Sequence, residues 1–152
     1  GNSIAPVTGW ERSHYPPQAG FNVNANAART GRCGMWIYTT AGEGAFSQPF
    51  QEIKCSPSTR YTAEAFFKKP DSHPWTTGTK AYLTLTFKDA YGVTLKTFNS
   101  QEMTQGAANW TPLTVTAASP ANARLVRFTV NLTSSRGQSV CCVDQCSLKM
   151  AP

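Results

Sequence analysis

Apolar side chains in this chain recur at every second position in short runs, and almost nowhere at helical spacing. The clearest run is Ala81 to Asp89, where Leu83, Leu85 and Phe87 fall on one side and Tyr82, Thr84, Thr86 and Lys88 on the other. A period of two belongs to a strand with one face in a core and one in water. The same alternation gives Tyr61, Ala63, Ala65 and Phe67 a core side. It does so again for Val126, Phe128, Val130 and Leu132, and leaves Arg127, Thr129 and Asn131 facing outward. Strands are expected at about 21–25, 33–40, 50–55, 60–69, 80–88, 93–98, 110–116, 124–133 and 138–149. Turn residues separate them, among them Ser56-Pro57-Ser58, Asp89-Ala90-Tyr91-Gly92 and Ser134-Ser135-Arg136-Gly137. Helical signals are confined to one turn at Ala25–Arg29 and to Ala117–Ala123, which Pro120 interrupts. Many short strands with regular turns predict an all-β fold, a two-sheet antiparallel β-sandwich of the jelly-roll kind. With 152 residues and no internal repeat or linker, residues 1–152 read as a single domain.

Charge and composition narrow the partners. The formal charge is +6, but its basic residues are scattered from Arg12 to Lys149, with only Lys68-Lys69 adjacent. Nucleic acid binding favours a clustered basic stripe, so no nucleic acid partner is expected. No apolar run approaches the roughly 20 residues of a membrane helix, and no membrane partner is expected. The low charge content and frequent Gly and Pro suit a secreted, extracellular β-domain. The start at Gly1-Asn2-Ser3, without Met or signal peptide, reads as a piece excised from a longer multidomain protein.

There are five cysteines, Cys33, Cys55, Cys141, Cys142 and Cys146, at spacings wrong for a zinc site. Disulfides in an oxidising compartment are the expectation, with Cys33, Cys55, Cys142 and Cys146 as candidates. Cys142 and Cys146 lie roughly 13 Å apart on a regular strand, beyond the roughly 7 Å reach of a bridge unless a bulge intervenes. Cys33 and Cys55 pair with each other, or each takes a C-terminal cysteine. The odd cysteine stays free or bonds another chain.

Catalysis has little to stand on. A glycosidase needs two carboxyl groups about 5 to 9.5 Å apart. The chain has eight acidic residues and no spacing that pairs them; Glu52 and Glu64 fall on strands, but nothing brings them together. His14 and His73 lack a nucleophile motif nearby. On alternation alone, the row Tyr82, Thr84, Thr86 and Lys88 reads first as ordinary solvated sheet surface, and only second as a binding face.

The order of several motifs shifts that balance. These are Gly9-Trp10, Gly31 before Cys33–Ile37, and the segment Gln51-Glu52-Ile53-Lys54-Cys55-Ser56-Pro57-Ser58-Thr59-Arg60-Tyr61. They continue with Leu83–Asp89 and Gly92, Trp110 with Leu113, Val126–Leu132, and Val143-Asp144-Gln145-Cys146-Ser147-Leu148. In this order the chain resembles the sandwich carbohydrate-binding modules of the family 4, 16 and 22 group, found in bacterial polysaccharide-degrading enzymes. The usual opening strand with Asn-x-x-Phe-Glu is missing, and Gln145 stands where a second Asp is common.

The resemblance implies a non-catalytic module that binds a polysaccharide and keeps a covalently linked catalytic domain on its substrate. Its usual ligands are β-linked glucans or mannans. The basic balance adds an anionic glycan, such as alginate or a sulfated galactan, as the alternative, and a structural or adhesive surface domain as another. Trp10 and Trp110 are the expected stacking platforms, because flat aromatic rings pack on the apolar face of a sugar. Trp75, Trp36 and Tyr38 are further aromatics of loops or outward strand positions. Tyr82, Thr84, Thr86, Lys88, Arg127, Thr129 and Asn131 are the expected polar lining. A monomer is expected, with no cofactor beyond a structural calcium at Asp144; the resemblance pairs that acid with an opening Glu that this chain lacks, and no spacing puts Glu11 in its place.

Overall fold

The computed structural model describes residues 9–15, 17–40 and 43–151. Ten strands follow in order: β1 (Glu11–Tyr15), β2 (Gly20–Asn24), β3 (Gly34–Thr39), β4 (Ala45–Lys54), β5 (Arg60–Lys68), β6 (Lys80–Lys88), β7 (Thr94–Asn99), β8 (Thr111–Ala118), β9 (Leu125–Ser134) and β10 (Ser139–Met150). A 3₁₀ turn at Ala25–Ala27 is the one helical element among the described residues. The strands form two five-stranded sheets, ordered β1-β4-β9-β6-β7 and β2-β3-β10-β5-β8, with antiparallel neighbours throughout. This is the expected all-β sandwich.

The inner faces interdigitate as the alternation requires. Leu83, Leu85, Phe87, Val126, Phe128, Val130 and Leu132 come from the first sheet, and Ile37, Ala63, Ala65, Phe67, Leu113, Cys141 and Val143 from the second, all buried. Fully burying an aliphatic or phenyl side chain contributes about 1.5–3 kcal/mol, so this shared layer holds the two sheets in register. Two glycines of the sequence motifs have a backbone reason: Gly31 and Gly92 adopt φ of +70° and +81°, a region costly for side-chain-bearing residues.

Two features of the first sheet were not expected. β1 is an additional edge strand, pairing from Glu11↔Phe50 to Tyr15↔Phe46. Its residues are mostly exposed, so it lacks an apolar phase to announce it. β4 begins at Ala45 rather than near residue 50. Its ladder to β9 lapses between Ser47↔Leu132 and Phe50↔Thr129 and resumes in the same register. Pro49 sits in that gap with no N–H to donate, and a proline inside a run argues against a central strand.

The expected pairing among Cys33, Cys55, Cys142 and Cys146 is not formed; all five cysteines are free thiols. Cys33 is exposed before β3, Cys55 and Cys146 pack against the core, and Cys142 is buried on the outward phase of β10. A β-bulge does interrupt β10 between Asp144 and Ser147, with Gln145 at φ +52°, yet no bridge uses it. Burial pushes the Cys142 thiol up to about 11 and the Cys146 thiol to about 12, and raises Cys141 further. Such thiols behave as small apolar groups, since the thiolate is the reactive form. We therefore expect a thiol reagent at mildly alkaline pH to modify Cys33 first and the others only on unfolding, followed by mass spectrometry. Fewer than five reactive thiols in denaturant without reductant would establish a bridge.

Candidate functional site

The outer side of the first sheet is built by one repeated rule. In the β6–β9 ladder Tyr82 stands opposite Asn131, Thr84 opposite Thr129, and Thr86 opposite Arg127. β4 adds Phe46 beside Thr133, Phe50 beside Thr129, and Glu52 beside Arg127. β7 adds Asn99 beside Thr84 and Thr97 beside Thr86. The seven polar-lining residues named from the sequence thus lie on one face of two adjacent strands.

Its centre is a tightly bonded floor. Asn131 Nδ2 donates to Thr84 Oγ1 at 2.9 Å and to the Tyr82 carbonyl at 3.2 Å, and the Thr84 hydroxyl donates to Asn99 Oδ1 at 2.8 Å. Thr84, Thr129 and Asn131 are 9%, 8% and 3% exposed. They brace the sheet from below, and the taller side chains around them form the surface. Two triplets match the N-glycosylation pattern, Asn109-Trp110-Thr111 and Asn131-Leu132-Thr133; burial places Asn131 out of reach of that modification in the folded chain, whereas Asn109 is exposed.

At one end the taller side chains form a charged node. Glu52 Oε2 accepts from Lys88 Nζ at 2.8 Å and from Arg127 Nε at 2.9 Å. The Arg127 guanidinium lies 3.9 Å from the centre of the Phe50 ring, a cation–π contact that holds it flat. The hydrogen bond from Lys88 leads in keeping the Glu52 carboxyl below its ordinary 4.5; burial opposes it and Arg127 adds to it.

At the other end lies a groove of about 430 Å³ lined by Phe46, Gln48, Lys80, Tyr82, Glu102 and Thr133, and rimmed by Gly44, Gly78, Ser134 and Ser135. Lys80 pairs with Glu102 at 2.9 Å, so the groove has little net charge. Tyr15 stacks against Phe46 with ring centres 6.4 Å apart, and is 53% exposed. Burial raises the Tyr82 pKa above its ordinary 10, so its hydroxyl keeps its proton near neutrality.

Trp10 and Trp110 are not brought onto this face. Trp10 packs on the inward-facing Phe128 with centroids 6.0 Å apart. Trp110 directly precedes β8, the edge strand of the second sheet. Trp75 donates its indole N–H to the Val140 carbonyl at 2.7 Å, and Trp36 meets His73 edge-on at 5.4 Å. The residues that sequence reasoning missed are Tyr15, Phe46, Gln48, Phe50 and Lys80, and Glu52 as the centre of the ion node. The alternation Phe46, Gln48, Phe50, Glu52 was visible, but Pro49 hid the strand that carries it.

Two further expectations meet the geometry. Asp144 Oδ2 accepts the backbone N–H of Arg29 at 2.7 Å and of Thr30 at 3.0 Å, while Oδ1 accepts that of Gln145 at 2.8 Å. N–H donors occupy both oxygens, Glu11 lies on the other sheet, and no metal-holding group of three His, Cys, Asp or Glu occurs among the described residues. The residues around Asp144 do not fit a calcium ion. Glu64 lies on the second sheet and accepts from Thr114 at 3.2 Å, so it does not pair with Glu52. A carboxyl held down by two cations is also a poor proton donor at neutral pH.

No protein-family model and no curated protein matches the chain. Solved structures do share its fold. The C-terminal family 22 carbohydrate-binding module of Clostridium thermocellum Xyn10B is 14% identical, with 96% of this chain and 87% of that one covered and a TM-score of 0.69. TmCBM61, solved with β-1,4-galactotriose, is 18% identical over 95% and 90%, with a TM-score of 0.63. A family 16 module is 17% identical over 90% and 89%, with a TM-score of 0.61. The chain spans only 20% of the enzymatically active domain of a bacteriophage CBA120 tailspike and 26% of a two-module Clostridium thermocellum xylanase. At these identities the likeness is one of fold, the β-sandwich of carbohydrate-binding modules.

Two outcomes follow from the site's bonding. Asn131→Ala should lower stability by about 1–3 kcal/mol, read as a lower urea midpoint at unchanged slope. Glu52, with a depressed folded pKa, contributes stability that is present above the ordinary 4.5 and lost as pH falls through its lowered value. Thermal melts should therefore show a smaller acid-side loss in Glu52→Gln than in the parent protein.

Proposed function

We propose that this chain is a non-catalytic polysaccharide-binding module whose ligand lies across the outer face of the first sheet. The observation that carries the reading is the meeting of Tyr15, Phe46 and Tyr82 with bonded polar side chains on one sheet face. Aromatic rings stack on the apolar side of a pyranose, and fixed hydroxyl, amide and carboxylate groups bond its hydroxyls. The ligand class is a neutral β-linked glycan. Glucan and mannan suit the sequence resemblance, and galactan and xylan are suggested by fold relatives, one solved with β-1,4-galactotriose and another called a xylan-binding domain. A binding module of this kind, secreted and tethered to a catalytic domain, would raise that enzyme's effective concentration on its substrate.

Affinity electrophoresis against glucan, mannan, xylan, galactan, alginate and a sulfated galactan tests the reading. We expect retardation by at least one neutral glycan; no retardation in any gel would leave a structural or adhesive domain instead. Losing a stacking ring costs about 0.5–1.5 kcal/mol, so Tyr82→Ala and Phe46→Ala should each weaken binding by up to about tenfold. Trp110→Ala should not change it. The reverse pattern would move the ligand to the edge of the second sheet.

A further inference from the structure

The node of Glu52, Lys88 and Arg127 gathers three charges at one end of the face, and its bonding is lopsided. Both cations converge on a single oxygen of Glu52, Oε2. No hydrogen bond is made to Oε1 among the described residues, although the Glu52 side chain is 26% exposed. The Lys88 side chain is only 12% exposed and that of Arg127 33%, with its guanidinium over the Phe50 ring. Two cations and one carboxylate leave the node at a net charge of +1.

We infer that Glu52 is a specificity-determining residue of this face, one that offers Oε1 to sugar hydroxyls and keeps glycans bearing carboxylate or sulfate out. The inference rests on the polysaccharide-binding reading above. An anionic substituent that takes Lys88 Nζ or Arg127 Nε displaces Glu52, and one that takes the outer nitrogens of the Arg127 guanidinium lies beside the Glu52 carboxylate. The like-charge repulsion and the lost charge-assisted hydrogen bonds both oppose this. A neutral sugar meets no such barrier: its hydroxyl donates to Oε1, and Lys88 and Arg127 stay where they are. Lys88 and Arg127, which from sequence alone invite an acidic ligand, are already committed to an internal acid. Discrimination of this kind works by a repulsive element as much as an attractive one.

The test compares the parent protein with Glu52→Gln and with the double variant Glu52→Gln/Lys88→Gln. The probes are matched polymer pairs in affinity gels: hydroxyethylcellulose against carboxymethylcellulose, and arabinoxylan against glucuronoxylan. Glu52→Gln raises the node to +2, and the double variant returns it to +1. The parent should be retarded more by the neutral member of a pair. Glu52→Gln should shift that preference toward the anionic member by about tenfold or more, with the gain lost at about 1 M salt, where screening acts within roughly 3 Å. The double variant should restore the neutral preference, which a merely structural role of Glu52 would not produce. A parent that binds the neutral member, with a Glu52→Gln variant of unchanged preference, overturns this inference and leaves the binding reading standing. A parent that prefers the anionic member also overturns it. Silence of all three proteins toward all four polymers overturns this inference, and overturns the binding reading as well when mannan and galactan gels are also silent.

Discussion

The ladder that joins β6 to β9, from Lys80↔Thr133 to Lys88↔Leu125, sets both sides of the first sheet at once. Its odd-numbered β6 residues and even-numbered β9 residues enter the core, and the alternate set becomes the outer face. A slip of one residue would exchange them, placing Lys88 and Arg127 between the sheets and Leu85 and Phe128 in water. Burial of Leu83, Leu85, Phe87, Val126, Phe128 and Val130 thus fixes the site's geometry as well as the fold's stability. The hydrogen bonds from Asn131 to Thr84 and from Thr84 to Asn99 then tie β9, β6 and β7 together on the far side.

On that rigid floor the face divides its chemistry. The end near Phe46 and Tyr82 is aromatic, with its one ion pair closed on itself as Lys80–Glu102. The end near Phe50 holds two cations against one acid. Neither end presents a free cation from those pairs, which is why a chain with a formal charge of +6 is read here as a binder of neutral sugar.

The sandwich and its β6 and β9 faces were legible because alternation is local: each residue's side follows from its position in its own strand. What was not legible depends on partners distant in sequence. Glu52 joins Lys88 and Arg127 only because β9 lies between β4 and β6, an order that no local pattern encodes. β1 escaped because an exposed edge strand needs no apolar phase. Pro49 masked the half of β4 that carries Phe46 and Gln48. Trp10 shows a different dependence. A Trp beside a glycine or a turn looks exposed, yet Trp10 continues the inward phase of β1 and finds Phe128. The cysteines were read for bridging, and burial instead makes most of them apolar filling.

The central claim is that ligand lies on the outer face of the first sheet. Titrating isotope-labelled protein with a soluble β-linked oligosaccharide, and following each backbone amide by NMR, tests it most directly. Chemical-shift changes should concentrate on the β4, β9 and β6 strands, near Phe46, Glu52, Tyr82 and Arg127, with β2, β3 and β8 silent. Changes confined to the second sheet, or to the segment around Trp110, would contradict it.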